Sequence, residues 1–149
     1  MADDRIIEAN YNITEHFKYN DFKCPCCDML KLIPRFYKHI EMLERMRLEA
    51  GFPIVVNSGY RCPRHNEIVG GRPKSQHLIF ATDIRPAIEE HELDVMPHKI
   101  RQLYKIALDL DFNGIGLYKN FIHLDLRSDK ARWRALNEND NNKRKKNNT

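Results

Sequence analysis

Residues 121–126 read Phe-Ile-His-Leu-Asp-Leu, and this alternation constrains the fold more than any other stretch of the chain. Alternation is the pattern of a β-strand, because successive side chains leave opposite faces of a sheet. Ile122, Leu124 and Leu126 then share one face, and Phe121, His123 and Asp125 the other. Such a strand needs an apolar layer behind it and presents an imidazole beside a carboxylate in front. Gly116, Leu117 and Tyr118 precede it as a second strand, with Lys119 and Asn120 as the turn of a hairpin.

The apolar layer has two sources. From Pro34 to Ala50, the side chains of Ile33, Phe36, Ile40, Leu43 and Ala50 recur near one helical face. Pro34 suits a first turn and Gly51 a stop. A second helix is expected from Pro97 to Leu110, with Ile100, Leu103, Ala107 and Leu110 inward and Asn113-Gly114 as its break. Ile54, Val55 and Val56 form a short β-branched run, and residues 81–84 read as another strand. Helices and short strands that do not alternate regularly imply an α+β fold with a small, mostly antiparallel sheet and flanking helices.

With 149 residues and 42% hydrophobic residues, the chain has enough material for one core without covalent staples. No apolar run approaches the eighteen residues of a membrane span, and acidic residues stand where an export signal needs basic ones. A cytoplasmic protein without a signal peptide is therefore expected. The formal net charge is +4, and residues 137–149 (NENDNNKRKKNNT) supply +2 of it from four basic and two acidic side chains. That basic, Asn-rich tail has no apolar residue and is expected to be disordered, leaving residues 1–136 as a single domain. The body is only mildly basic and carries no recognised nucleic-acid motif, so no specific nucleic-acid partner is expected. A monomer is expected.

The loop at residues 58–77 (SGYRCPRHNEIVGGRPKSQH) is too long and too polar to be a plain turn, and such loops tend to hold sites. It ends at His77. With Asp83 and His123, that residue completes two imidazoles and a carboxylate, a sufficient ligand set for a catalytic zinc whose fourth position stays open. His16, His39, His91 and His98 read as surface histidines. His65 shares the loop of Arg61.

The blocks SGYRCPRHNEIVGGRPKSQHLIFATDIRP, GIGLYKNFIHLDLR and ARW resemble the M15 zinc peptidases, from about Phe22 to Trp133. These are D-alanyl-D-alanine carboxypeptidases and related peptidoglycan peptidases, including phage endolysins. The resemblance implies a small α+β domain, a Zn2+ cofactor and a peptidoglycan peptide substrate cut at a bond involving a D-amino acid. Ser75-Gln76-His77 matches the family's first ligand block, Ala81-Thr82-Asp83 the second and Phe121-Ile122-His123 the third. His77, Asp83 and His123 are then the zinc ligands. Ser75 falls among the substrate-binding residues. Arg61, in the Ser-Gly-Tyr-Arg block at 58–61, faces substrate and steadies a carboxylate or a developing oxyanion. A phage lysin would act on the cell wall after release from the host cytoplasm, or from the virion.

Two departures from the family pattern carry physical consequences. Asp83 lies six residues after His77 rather than seven, and the family's glycine is missing. If the lost residue came from a strand, side-chain parity would flip and Asp83 would point away; a loss from a loop would leave it in place. The position three residues before His123, where many relatives carry a general base, is Asn120. Asp125 is the nearest substitute as a catalytic acid–base group; its alternative is to orient His123 or to pair with Arg127 or Arg61. A catalytically inactive binding or structural module is the second functional reading. Cys24, Cys26, Cys27 and Cys62 remain open between free thiols, a disulfide formed after release and a structural metal site.

Overall fold

The computed structural model describes residues 10–136. The expected disordered tail at 137–149 lies outside them. Five strands form one sheet: β1 (Ile54–Ser58), β2 (Ala81–Pro86), β3 (Gly114–Tyr118), β4 (Ile122–Asp125) and β5 (Ala131–Ala135), in the order β1-β2-β4-β3-β5. Its helices are α1 (Tyr19–Phe22), α2 (Pro34–Ala50), α3 (Pro63–Ile68) and α4 (Met96–Asp109). Two 3₁₀ turns, Gln76–Leu78 and Glu90–Val95, precede β2 and α4.

Helix α2 starts with Pro34 at its first turn and stops at Gly51, whose left-handed φ of 75° lets its N–H reach the Arg47 carbonyl at 3.2 Å. Its inward stripe is Phe36, His39, Ile40, Leu43 and Met46, all fully buried. Helix α4 contributes Ile100, Leu103 and Ala107. Helix α4 packs against the sheet face that carries Ile84, Ile115, Ile122 and Leu124, and α2 packs against α4 and reaches Thr82 of β2 through His39. A second knot of rings (Phe17, Phe22, Phe36 and Phe80) fastens the N-terminal segment to the start of β2, with centroid separations of 4.9–5.9 Å. Burying an aromatic side chain contributes roughly 1.5–3 kcal/mol, so this knot is a major anchor.

The structure corrects three expectations. The sheet is mixed, not mostly antiparallel, because β5 runs parallel to β3 while the other pairings are antiparallel. Residues 126–130 carry the chain around the end of β3 to its free edge. Strand β5 was concealed in a charged sequence, Ala-Arg-Trp-Arg-Ala, whose two arginines are exposed on alternate positions. Next, His39 is not on the surface. It shares the inward stripe of α2, fully buried, with one ring nitrogen 2.9 Å from the Thr82 hydroxyl and its ring edge-on to Phe80 and Phe112. Last, the segment at 58–77 folds part of its length into α3 and the first 3₁₀ turn. Pro63 at the first turn and the Cys62 sulfur, which accepts the His65 N–H at 3.4 Å, start α3.

Candidate metal centre

Register on the face away from the helices builds most of the site. Asp83 on β2 is the direct antiparallel partner of His123 on β4, so both side chains rise side by side. His77 comes from outside the sheet. Ser75 caps its 3₁₀ turn, the hydroxyl accepting the His77 N–H at 3.2 Å. Lys31 and Arg35 brace the same turn through the Leu78 carbonyl at 3.0 Å and the Gln76 side chain at 3.3 Å. His77 lies in the turn and Asp83 inside β2, so the interval between them spans a non-strand link and does not set which face Asp83 leaves.

The three side chains meet. Asp83 Oδ2 lies 3.2 Å from His77 Nε2, and Asp83 Oδ1 lies 3.0 Å from His123 Nδ1. One donor atom from each residue fits within 4.8 Å of the other two. The imidazole rings stand edge to face with centroids 5.1 Å apart.

The opposite nitrogen of each ring is held from behind. His77 Nδ1–H donates to the Gly59 carbonyl at 2.7 Å, and His123 Nε2–H donates to Asp125 Oδ2 at 2.7 Å. These bonds fix the tautomers that leave His77 Nε2 and His123 Nδ1 facing Asp83, the arrangement in which imidazoles ligate a metal. The donor set therefore fits a divalent cation, with borderline nitrogen and carboxylate ligands suited to zinc.

Electrostatics agree. Burial opposes the charged form of Asp83, but His77 and His123 outweigh it and hold its carboxyl well below the usual range. Burial likewise opposes a charged His123, yet Asp125 and Asp83 on its two sides raise its pKa. A cation held by Asp83 and His123 would compete with a proton for Nδ1.

Asp125 stands behind His123, on the side away from Asp83. Its side chain is fully buried. Oδ1 accepts the Arg127 backbone N–H at 3.0 Å and Nε–H at 2.9 Å, and Oδ2 accepts from Arg127 Nη2 and His123 Nε2, both at 2.7 Å. Burial works against its ionised form, but His123 and Arg127 prevail and hold its carboxyl well below the ordinary value. Room for it comes from Gly114, opposite on β3, where a Cβ would overlap both carboxylate oxygens.

Arg61 reaches the site from the other side, its Nη2 3.7 Å from Asp83 Oδ2 and its Nε–H donating to Ser58 Oγ at 3.3 Å. Its backbone N–H donates to the His77 carbonyl at 2.9 Å. Asn120 lies in the β3–β4 turn, and among the described residues Asp83 and Asp125 are the carboxylates in contact with the two imidazoles.

Sequence reasoning passed over two contributors. Trp133 on β5 packs on His123 at 5.2 Å between centroids, stacks under the Arg127 guanidinium at 4.9 Å and donates its indole N–H to the Tyr118 hydroxyl at 3.0 Å. Gly116 clears the space, since a Cβ there would strike the indole. The available signal was Gly114-x-Gly116, two small residues with strand spacing that leave one face bare.

A family model described as Peptidase M15 matches residues 15–125, a span that contains His77, Asp83, His123, Asp125, Arg61 and Ser75. No curated protein and no solved structure matches the chain.

Proposed function

The chain belongs to the peptidase M15 family, and from that membership we propose that it is a zinc-dependent peptidase of cell-wall peptides, cutting a bond that involves a D-amino acid. The supporting observation is the convergence of His77 Nε2, Asp83 and His123 Nδ1, each imidazole already committed through its other nitrogen. His77, Asp83 and His123 would hold the zinc. When bound, zinc supplies Lewis acidity, activating water near neutral pH and polarising a peptide carbonyl.

The chain's own groups do the rest. Arg61 offers a guanidinium on the Asp83 side of the site, where it pairs with a substrate carboxylate or with negative charge developing on the scissile carbonyl. Asp125 keeps a proton on His123 Nε2 and so keeps Nδ1 available. With both oxygens engaged and its affinity for protons lowered, it fits a positioning role better than that of general base. Ser75 is likewise a positioning residue in this reading, because its hydroxyl caps the turn that carries His77. Released lysis of a bacterial wall is the setting we favour for such a domain.

The test is digestion of purified peptidoglycan by the full chain, with fragments identified by mass spectrometry. New peptide termini next to a D-residue, lost with a chelator and restored by zinc, support the proposal. A chain that binds zinc at His77, Asp83 and His123 yet releases no fragment from any wall would instead be a binding module, the reading that Asn120 at the usual base position favours.

A further inference from the structure

A second group of metal-ligating side chains lies outside the candidate active site. Cys24, Cys26 and Cys27 occupy the loop after α1, and Cys62 lies 35 residues beyond Cys27 at the start of α3. Folding brings all four sulfurs within 4.8 Å of one another. Cys26 Sγ is 3.6 Å from Cys24 Sγ and 3.2 Å from Cys62 Sγ.

We infer that Cys24, Cys26, Cys27 and Cys62 together bind one zinc ion as a structural centre, separate from the His77–Asp83–His123 site.

Spacing is the first argument. Zinc–sulfur bonds of about 2.3 Å in a tetrahedron put ligand sulfurs about 3.8 Å apart, close to the separations found here. A disulfide joins two sulfurs at about 2.05 Å and would leave the other two thiols crowded beside it. Four thiolates are a closed, soft donor set that suits zinc in a structural rather than a catalytic role.

The backbone supplies the second argument. The loop folds back on itself: Cys24 N–H donates to the Met29 carbonyl and Asp28 N–H to the Cys24 carbonyl, both at 2.8 Å. Asp28 takes a left-handed φ of 60° to close it. That turn lets the adjacent Cys26 and Cys27 both approach Cys24. Two backbone N–H groups also point at sulfur, from Cys62 to Cys24 Sγ and from His65 to Cys62 Sγ, each at 3.4 Å. Donors aimed at sulfur stabilise thiolate charge, as four anionic ligands on a dication require.

Position gives the centre a purpose. Cys62 follows Arg61 directly, and Gly59, whose carbonyl holds His77, is three residues earlier. The Tyr60 N–H donates to the Phe22 carbonyl at 2.8 Å, and a Cβ on Gly59 would come within 2.5 Å of that same oxygen. A metal at the four cysteines pins these two close-packed segments together and fixes the wall that carries Arg61.

The decisive measurement uses full-length, reduced chain carrying His77→Ala and His123→Ala, which keeps all four cysteines. Elemental analysis should find one tightly held zinc per chain, against two in the wild type. Loading the same variant with cobalt should give the intense near-ultraviolet thiolate-to-cobalt charge-transfer band. Cys26→Ser with Cys27→Ser should abolish that band, and zinc should protect the four thiols of the wild type from alkylation. A reduced His variant with neither zinc nor the band overturns the inference. So does a zinc-loaded wild type in which two cysteines resist alkylation as a disulfide and the other two react freely. If the His variant fails to fold, the charge-transfer band of the cobalt-loaded wild type decides, because the other site has no sulfur. None of these readouts involves peptide cleavage.

Discussion

Gly114 stands opposite Asp125 across the β3–β4 ladder, and the Asp125 carboxylate occupies the space a side chain at Gly114 would fill. A backbone position with no role of its own in chemistry thus determines where His123 points, through Asp125 Oδ2 at 2.7 Å.

Gly114→Ala should therefore behave like a site mutation. The added methyl displaces the carboxylate, which costs roughly 1–3 kcal/mol of stability as an overpacked contact. Peptide cleavage or zinc affinity should fall about 10–100-fold, the range for losing an outer partner of a ligating histidine. Urea denaturation and zinc titration of the variant check both. A fully active Gly114→Ala chain would mean that the position of Asp125 is immaterial.

Asp83 and Asp125 should separate cleanly by substitution. Asp83→Ala removes a proposed ligand and should abolish stoichiometric binding of zinc at this centre. Asp125→Asn should keep zinc but weaken it by about 10–100-fold, because the amide no longer supports the Nε2–H tautomer. A pH–rate profile distinguishes positioning from base catalysis: a positioning role lowers the rate across the profile, whereas loss of a general base removes its acidic limb.

Arg127→Lys keeps the charge and loses the fork that binds Asp125 through Nε and Nη2. It also gives up planar stacking on Trp133. Cleavage should drop by roughly tenfold and the melting temperature should fall as well, since Asp125 is fully buried and loses donors. Activity assays and thermal melts of the variant read the two effects separately.

Acid should destabilise the fold through His39. Burial pushes its pKa down to about 3, against about 6.5 in an unfolded chain. The unfolded state binds the extra proton between those values, so this contribution is fully present above about pH 6.5 and is lost progressively as pH falls towards 3. Between pH 7 and pH 5 the loss is about 2 kcal/mol. His39→Leu should flatten that part of the stability profile, measured by urea midpoints at the two pH values. An unchanged slope would mean that His39 takes up its proton at the same pH in the folded and unfolded chains.

Much of the site was legible because it rests on strand periodicity. The alternation at 121–126 put His123 and Asp125 on one face, and antiparallel pairing with β2 brought Asp83 alongside. Its residue type at the end of a polar loop, and then resemblance, rather than periodicity, singled out His77, since a 3₁₀ turn leaves no repeating signature. His39 was misread because a polar residue on an apolar helical stripe looks like an interruption, while the Thr82 hydroxyl that receives it lies 43 positions away. Strand β5 was missed for the converse reason: two exposed arginines masked an alternating pattern whose inward member, Trp133, completes the back of the candidate metal centre.

Because His77 is delivered by a capped turn and not by the sheet, its interval to Asp83 is not set by strand parity. A change in that interval would leave the register of Asp83 with His123 as it is. Motif searches that demand a constant interval between the first histidine and the aspartate will pass over such chains, and ones anchored on the paired strands will find them.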